Sequence, residues 1–551
     1  MKPYIEKGVL CCGQGIPYAP RWISDGRLSC SVDEQGIERL EYCGTKNRIG
    51  NPVVFVRRMW DGIRCFLNQG GVNYKPAYID TRIWPFGIEA DWEHNGDIFS
   101  YKVLCVDESL IMQIRTPSTM SAADVKFSLE CTEEFALEAG DKNDLTLDTS
   151  GEKRVWNDWT FYRPDNILSA GYRAYPAAAE YEKTDGDFTG EAISNLILKP
   201  AAENPPEDVI VCFSADFPLS HTSRAHTKKH ILESPVLKAG NTYSFFIALG
   251  SNPEAVRKKI ACLTGEIDKK IDAQFSRYRL VADAAPVLKS PYTQINDFLA
   301  IAPLYHEALK LKDRPGALRA KVPWYWMWGW DAMTCGQSEC YWGDTVHVKD
   351  LLAFFEQHSH PEYGIVHRFN NDFSPNQVYA KPSQGIYIAL LHEYFIATED
   401  IDEIKRRYPF AKKIFGIMLS SVADSCGFGR GGSLYPDYPV LMQETGNDLS
   451  TFNNTIFYCG MRSMESLASL MGDEETRKRA EELFKNMERD FLRLFFDEEK
   501  KYFVNSIDSV SLQKRYVFNT GAVKWENEYC RELLGSVREE ALTFLEEHAL
   551  C

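Results

Sequence analysis

No stretch of the 551-residue sequence approaches the roughly 18 consecutive apolar residues needed to cross a bilayer, so no membrane-spanning helix is expected. The opening residues, Met1 to Gly15, carry Lys2, Glu6 and Lys7 and lack an apolar run of signal-peptide length, which predicts a soluble cytoplasmic protein. Positive charge is also in deficit: 62 Lys and Arg stand against 78 Asp and Glu, a formal net charge of −16. Such a surface repels phosphate backbones and anionic lipid, so neither nucleic acid nor a membrane is expected as a partner. A neutral substrate is indifferent to it. A cysteine framework is missing too, because the 15 Cys are odd in number, have no short repeated spacing, and include the adjacent Cys11 and Cys12. Reduced thiols fit that usage better. The 11 His are scattered, with His358 and His360 flanking one serine at a helix end, and no Cys pair has zinc spacing. No metal and no cofactor are expected.

What is present begins with enough chain for two domains, each able to bury a large core. Hydrophobic residues at 44% and charged residues at 25% exclude a disordered or fibrous chain. Residues 20 to about 250 read as short strands between turns. Leu28, Cys30 and Val32 alternate with polar residues, Asp33 to Gly36 turns, and Ile37 to Tyr42 returns; Asp61-Gly62 and Asn95-Gly96 mark further hairpins. The near-continuous apolar runs Val209 to Phe213 and Tyr243 to Leu249 predict strands buried on both faces. An N-terminal antiparallel β-sandwich over 1–250 follows.

From Pro253 the period changes. Val256, Ile260, Ile267, Ile271 and Phe275 recur at helical intervals, and 251–290 reads as a helical linker. Within 291–551, helices are predicted at 293–311, 331–342, 345–358, 382–398, 401–422, 454–471, 474–495 and 526–549. Tight connections such as Ala397 to Asp402 and Met471 to Glu475 alternate with long aromatic, Gly- and Pro-rich loops at 313–330, 360–381, 425–452 and 501–525. No self-similarity at a solenoid period accompanies them. The asymmetry predicts helical hairpins with functional loops gathered at one end.

Three constellations could carry chemistry. The first is Trp324-Tyr325-Trp326-Met327-Trp328-Gly329-Trp330-Asp331, in which Trp326, Trp328 and Trp330 offer ring faces for the C–H faces of a sugar and Asp331 a hydroxyl acceptor. The plainer reading of Asp331 is a helix N-cap, with the tryptophans in the core. The second runs from Val378 through Lys381, Pro382, Ser383 and Gln384 to Gly385, where Lys381 and Gln384 could reach sugar hydroxyls or simply sit solvated at a helix end. The third is the loop Gly432 to Asp448, carrying Asp437, Glu444 and Asp448, the last also a candidate for binding substrate, and leading to Asn453-Asn454. Asp448 or Asn453 would serve as cap of the next helix, leaving Asp437 and Glu444 without structural duty. Glycoside hydrolysis needs a carboxylic acid to protonate the leaving oxygen and a second carboxylate across the sugar.

Together these segments resemble the six-hairpin glycosidases, in which an (α/α)6 barrel follows an N-terminal β-sandwich and a helical linker. The resemblance is to the family of processing α-glucosidase I and mannosylglycerate hydrolase, with glucoamylases and trehalases more distant. Trp328 to Asp331 resembles their Trp-x-Trp-Asp motif, whose aspartate holds hydroxyls in the −1 subsite; Lys381-Pro382-Ser383 resembles the start of a barrel helix; Asp437-Tyr438-Pro439 resembles the segment holding the general acid. Val440 stands where the family has Arg, and a glucoamylase-like register would put the acid near Glu444, so both carboxyls remain candidates.

The resemblance implies a multidomain β + α enzyme whose toroid, over 291–551, holds about eight of the twelve barrel helices and is incomplete at its C-terminal end, as in a fragment of a longer product. It implies hydrolysis of α-glucosidic or related α-glycosidic bonds by inversion, on an oligosaccharide or small glycoside. The base would stand about 6.5–9.5 Å from the acid, in the missing part of the barrel. An inverting phosphorylase, with Arg368 and His367 as phosphate candidates, and a non-catalytic carbohydrate-binding protein are the alternatives.

Overall fold

The structure is a computed structural model. It describes residues 4–6, 9–12, 21–26, 28–33, 36–42, 63–74, 77–132, 134–138, 153–156, 159–162, 172–183, 191–200, 210–224, 229–250, 252–285, 287, 289–311, 314–319, 327–369, 373, 375–377, 381–422, 427–430, 448–515 and 528–547. The chain divides into two compact units. One comprises Met1–Thr146, Leu168–Arg314 and Leu318–Trp326, the other Leu147–Ile167, Pro315–Ala317 and Met327–Cys551.

In the first unit every described strand pairing is antiparallel. Leu28–Asp33 and Gly36–Tyr42 form the expected hairpin, with Cys30 opposite Leu40. Asn95 and Gly96 turn between Gly87–His94 and Asp97–Val106, with φ of 53° and 80°. Two consecutive positive φ values match the right-handed twist of the flanking strands, which is why Asn-Gly occurs there. The Asp61-Gly62 turn lies outside the described residues.

Strand Thr242–Gly250 explains its own apolar run. Tyr243, Phe245, Ile247 and Leu249 enter one core cluster, alongside Trp92, Tyr101 and Phe127. Phe246 and Ala248, pointing the other way, join Val256, Ile260, Leu263, Ile271 and Tyr278 of helix α1, Pro253–Ala284. A strand covered on both faces has no polar positions to alternate. Helix α1 starts where Asn252 accepts the Ala255 N–H at 2.8 Å and Pro253 takes the first turn. Its apolar stripe is the expected one, with Ile267 and Phe275 partly buried beside the fully buried members. Helix α2, Thr293–Glu307, packs on it, and Arg277 donates to Glu307. Both helices belong to the first unit.

The second unit is built from helical hairpins. Helix α3, Gly329–Trp342, pairs with α4, Thr345–Gln357; α5, Lys381–Thr398, with α6, Ile401–Leu419; and α7, Thr451–Met471, with α8, Glu474–Phe495. Each tight connection uses the same device. Gly343, Glu399 and Gly472 take φ of 90°, 56° and 69°, and the next residue, Asp344, Asp400 or Asp473, caps the returning helix. A left-handed residue ends one helix and an acidic side chain satisfies the first donors of the next.

Helices α3, α5 and α7 lie side by side, with α4, α6 and α8 packed behind them. Residues 382–391 of α5 and 451–461 of α7 are buried on every described face, whereas α8 shows one apolar stripe, Ala480, Leu483, Phe484, Met487 and Phe491. Glycine permits the closeness of α5 and α7: a Cβ on Gly460 would lie 2.8 Å from the Cα of Gly385. The single helix expected over 526–549 is two, α9 (Glu528–Leu534) and α10 (Val537–Glu547), because Gly535 takes φ of 53° between them. The ten helices among the described residues and the large antiparallel sheet assembly make this a multidomain β + α fold. None of the described helices is long and apolar enough to cross a membrane.

Candidate active site

The alternation of tight and long connections puts the N-terminal ends of α3, α5 and α7 at one end of the second unit, together with the described residues that lead directly into them. Short strands fasten these segments. Met327–Trp328 pairs with Arg368–Phe369, which pairs with Pro375–Gln377; Asp448–Ser450 pairs with Ser506–Asp508, which pairs with Lys514–Arg515.

Trp328 is half-buried, with the His367 ring edge-on to it at 5.1 Å. Gly329 donates its N–H to the His367 carbonyl at 2.7 Å, and a Cβ on Gly329 would collide with the Val366 carbonyl oxygen. The Gly of Trp-Gly-Trp-Asp is therefore a close-approach residue that lets strand and helix start share one loop. Trp330 is buried, and its ring meets Phe452 of α7 at 5.0 Å in an edge contact. That contact ties the first turn of α3 to the first turn of α7.

Asp331 is partly exposed in the first turn of α3. The N-cap position is Trp328, with no side chain capping, so Asp331 is not the cap. Its carboxylate lies where the helix N-terminus favours an anion. Asp448 is fully buried and accepts the Ser506 hydroxyl at 3.3 Å. Neither Asp448 nor Asn453 caps α7, contrary to expectation. Ser450 does so, accepting the Asn453 N–H at 3.4 Å, because the helix begins at Thr451, three residues before the predicted start.

Gln384, 1% exposed in the first turn of α5, uses its amide on Ile365: it accepts the Ile365 N–H at 2.9 Å and donates to the Ile365 carbonyl at 3.1 Å. Asn454, fully buried in α7, does the same to Gly429, accepting its N–H at 2.7 Å and donating to its carbonyl at 3.1 Å, and also donates to the Ser450 carbonyl at 2.8 Å. Lys381 is the first residue of α5. Its side chain, Trp326, and the acid candidates Asp437 and Glu444 lie outside the described residues.

The structure thus assembles Trp328, Trp330 and Asp331 at the start of α3, with Phe452 and His367 against the two tryptophans and Asp448 one short strand before α7. The sequence offered Gln384 as a partner for sugar hydroxyls and Asn454 as part of a helix start, and missed that both amides are spent on backbone. A signal for the grips lies in the glycines Gly364 and Gly429, whose Cβ atoms would collide with Gln384 and with Phe457. No group of three or more His, Cys, Asp or Glu among the described residues could hold a metal ion.

The antiparallel sheet assembly followed by helical hairpins has counterparts among solved structures. In particular, the chain has the fold of a bacterial glucoamylase solved in complex with acarbose: the TM-score is 0.53 at 10% identity, over 90% of this chain and 73% of that one. A rhamnosidase from Klebsiella oxytoca with rhamnose bound aligns at a TM-score of 0.35 and 11% identity, over 72% of this chain and 82% of that one. Neither a family model nor a curated relative matches the sequence.

Proposed function

We propose that the protein is a glycoside hydrolase cleaving α-glucosidic or related α-glycosidic bonds by inversion. The observation that carries this reading is the junction of Trp328, Trp330 and Asp331 at the start of α3, in a fold shared with a glucoamylase that binds acarbose. Trp328 supplies ring surface to the non-reducing sugar, Asp331 accepts its hydroxyls, and Trp326 and Lys381 border the same subsite. Trp330, buried on Phe452, holds the wall in place. Asp448 stands at the foot of the loop whose Asp437 or Glu444 is the proton donor.

The donor must stay protonated near neutral pH, which burial against aromatic rings achieves by penalising the carboxylate. A general acid contributes about 10²–10⁴-fold in rate. Release of glucose equivalents from an aryl α-glucoside, with the product anomer read by NMR, tests the reading. Asp331→Asn should weaken binding at least tenfold, and either Asp437→Asn or Glu444→Gln should lower kcat by at least a hundredfold. If both acid variants keep wild-type hydrolysis, neither residue is the acid. Release of the retained anomer excludes inversion.

A further inference from the structure

At the C-terminal ends of α3 and α5, where α9 begins, lies a cavity of about 310 Å³ lined by side chains of these three helices. Tyr341 stands in the last turn of α3, ten residues beyond Asp331, and Ile396 twelve residues beyond Gln384 on α5. At 1.5 Å per residue these offsets are roughly 15 and 18 Å along the helices. The cavity is therefore separate from the junction of Trp328, Trp330 and Asp331.

Its walls are aromatic and apolar, with a few polar groups set among them. Tyr341 is 73% exposed, so its ring is open to a ligand, and the exposed Ile396 adds apolar surface. Tyr529 is held from α7: the Arg462 guanidinium lies over its ring at 4.5 Å, and its hydroxyl is 3.4 Å from Ser466 Oγ. The Glu393 carboxylate accepts the Gln337 amide of α3 at 3.0 Å, which orients it, and the exposed Glu528 supplies a second carboxylate. His392 is 8% exposed, lines the cavity with its ring nearly parallel to that of Tyr529, and makes no hydrogen bond among the described residues. Burial lowers it to about 4, so near neutral pH the ring is uncharged, with one N–H to donate and one nitrogen to accept. A polar side chain buried that far ordinarily has a partner. Here the partner has to come from the cavity.

The charges select the ligand. Two carboxylates repel an anion. A cation would suit them but could not accept the imidazole N–H. A neutral molecule with several hydroxyls serves every group: hydroxyls donate to the carboxylates and to the bare imidazole nitrogen, accept from its N–H, and leave a C–H face for the tyrosine rings. We infer that this cavity is a second sugar-binding site, taking one neutral pyranose ring against Tyr341 and Tyr529 with its hydroxyls on His392, Glu393 and Glu528. It goes beyond the glycosidase reading and does not depend on it.

Hydrogen–deuterium exchange with maltose as the probe tests the site. Maltose should slow exchange at 392–397 and 528–534, and it should still do so in the Asp331→Asn variant, whose lesion lies at the other site. Tyr341→Ala should raise the maltose concentration needed for that protection at least fivefold and leave hydrolysis of an aryl α-glucoside within about twofold of wild type. Glu393→Gln keeps an acceptor for Gln337 and removes the charge, and should weaken protection to a similar extent; Glu528→Gln, at an exposed position, stands in if that variant does not fold. Maltose protection confined to the segments around Trp328, or protection of 392–397 and 528–534 that Tyr341→Ala leaves unchanged, overturns the proposal. So does protection of those segments by choline and not by maltose, which marks a cation site. A chain that hydrolyses no glycoside while maltose protects 392–397 and 528–534 refutes the glycosidase reading and keeps the second site.

Discussion

Single residues at the loop-bearing end act through backbone contact as much as through their side-chain chemistry. Gly329 is the clearest case, since it separates the two tryptophans and touches the loop that carries His367. Gly329→Ala should cost about 1–3 kcal/mol through overpacking against a carbonyl that cannot move without breaking the short strand pair. It should also weaken glycoside binding, because Trp328 and His367 are forced apart. Thermal melts and tryptophan fluorescence titration measure the two effects; an unchanged Tm would mean that the loop yields freely. The Trp-Gly-Trp-Asp run stood out as a candidate site because ring density is visible in a sequence. That its glycine is a contact, and that Trp330 is buried on Phe452 from a helix more than a hundred residues away, was not legible. No local pattern encodes a neighbour at that separation.

At the scale of elements, buried charge holds the helical hairpins in register. Arg407, 1% exposed on α6, donates to Glu403 on its own helix, to Glu356 of α4 at 2.5 Å and to the Lys349 carbonyl at 2.8 Å, while Tyr387 of α5 donates to Glu356 at 2.7 Å. The network joins three helices. Arg406 and Arg407 together hold the Glu403 carboxyl down to about 2. Arg407→Met should cost about 3–5 kcal/mol, because two carboxylates lose their buried cation. Loss of the exposed Lys405–Asp402 pair by Lys405→Ala should change stability by less than about 1 kcal/mol. Urea unfolding of both variants checks the contrast, and equal effects would refute it. Helix positions were largely readable from apolar period, and the tight turns from Gly-Asp and Glu-Asp pairs. The partition into buried and outer helices follows from which side of each helix its neighbours cover, and that is settled by packing.

Across the molecule, acid sensitivity is set by imidazoles that burial keeps neutral. His230 of the first unit lies 2.9 Å from His221, and His392 belongs to α5; burial lowers both His230 and His392 to about 4. An unfolded histidine protonates near 6.5. Between those values the unfolded chain binds protons that the folded chain refuses, so stability is full above about pH 6.5 and falls as pH drops toward 4. Urea midpoints at pH 7.5 and 5.0 should differ, and His392→Gln should shrink the difference; an equal difference in that variant would exclude His392 as a source.

The sequence by itself determined the β half, the helical half and the alternation of tight and long connections, because periodicity and turn chemistry are local properties; ring density singled out Trp328 to Asp331 as a candidate site. Only the tertiary structure decided that Ser450 rather than Asp448 or Asn453 caps α7, that Gly535 divides the last helical stretch, and that Gln384 and Asn454 grip Ile365 and Gly429. Each of these depends on which backbone donors and acceptors are left unpaired once distant segments have packed, and no single segment carries that information.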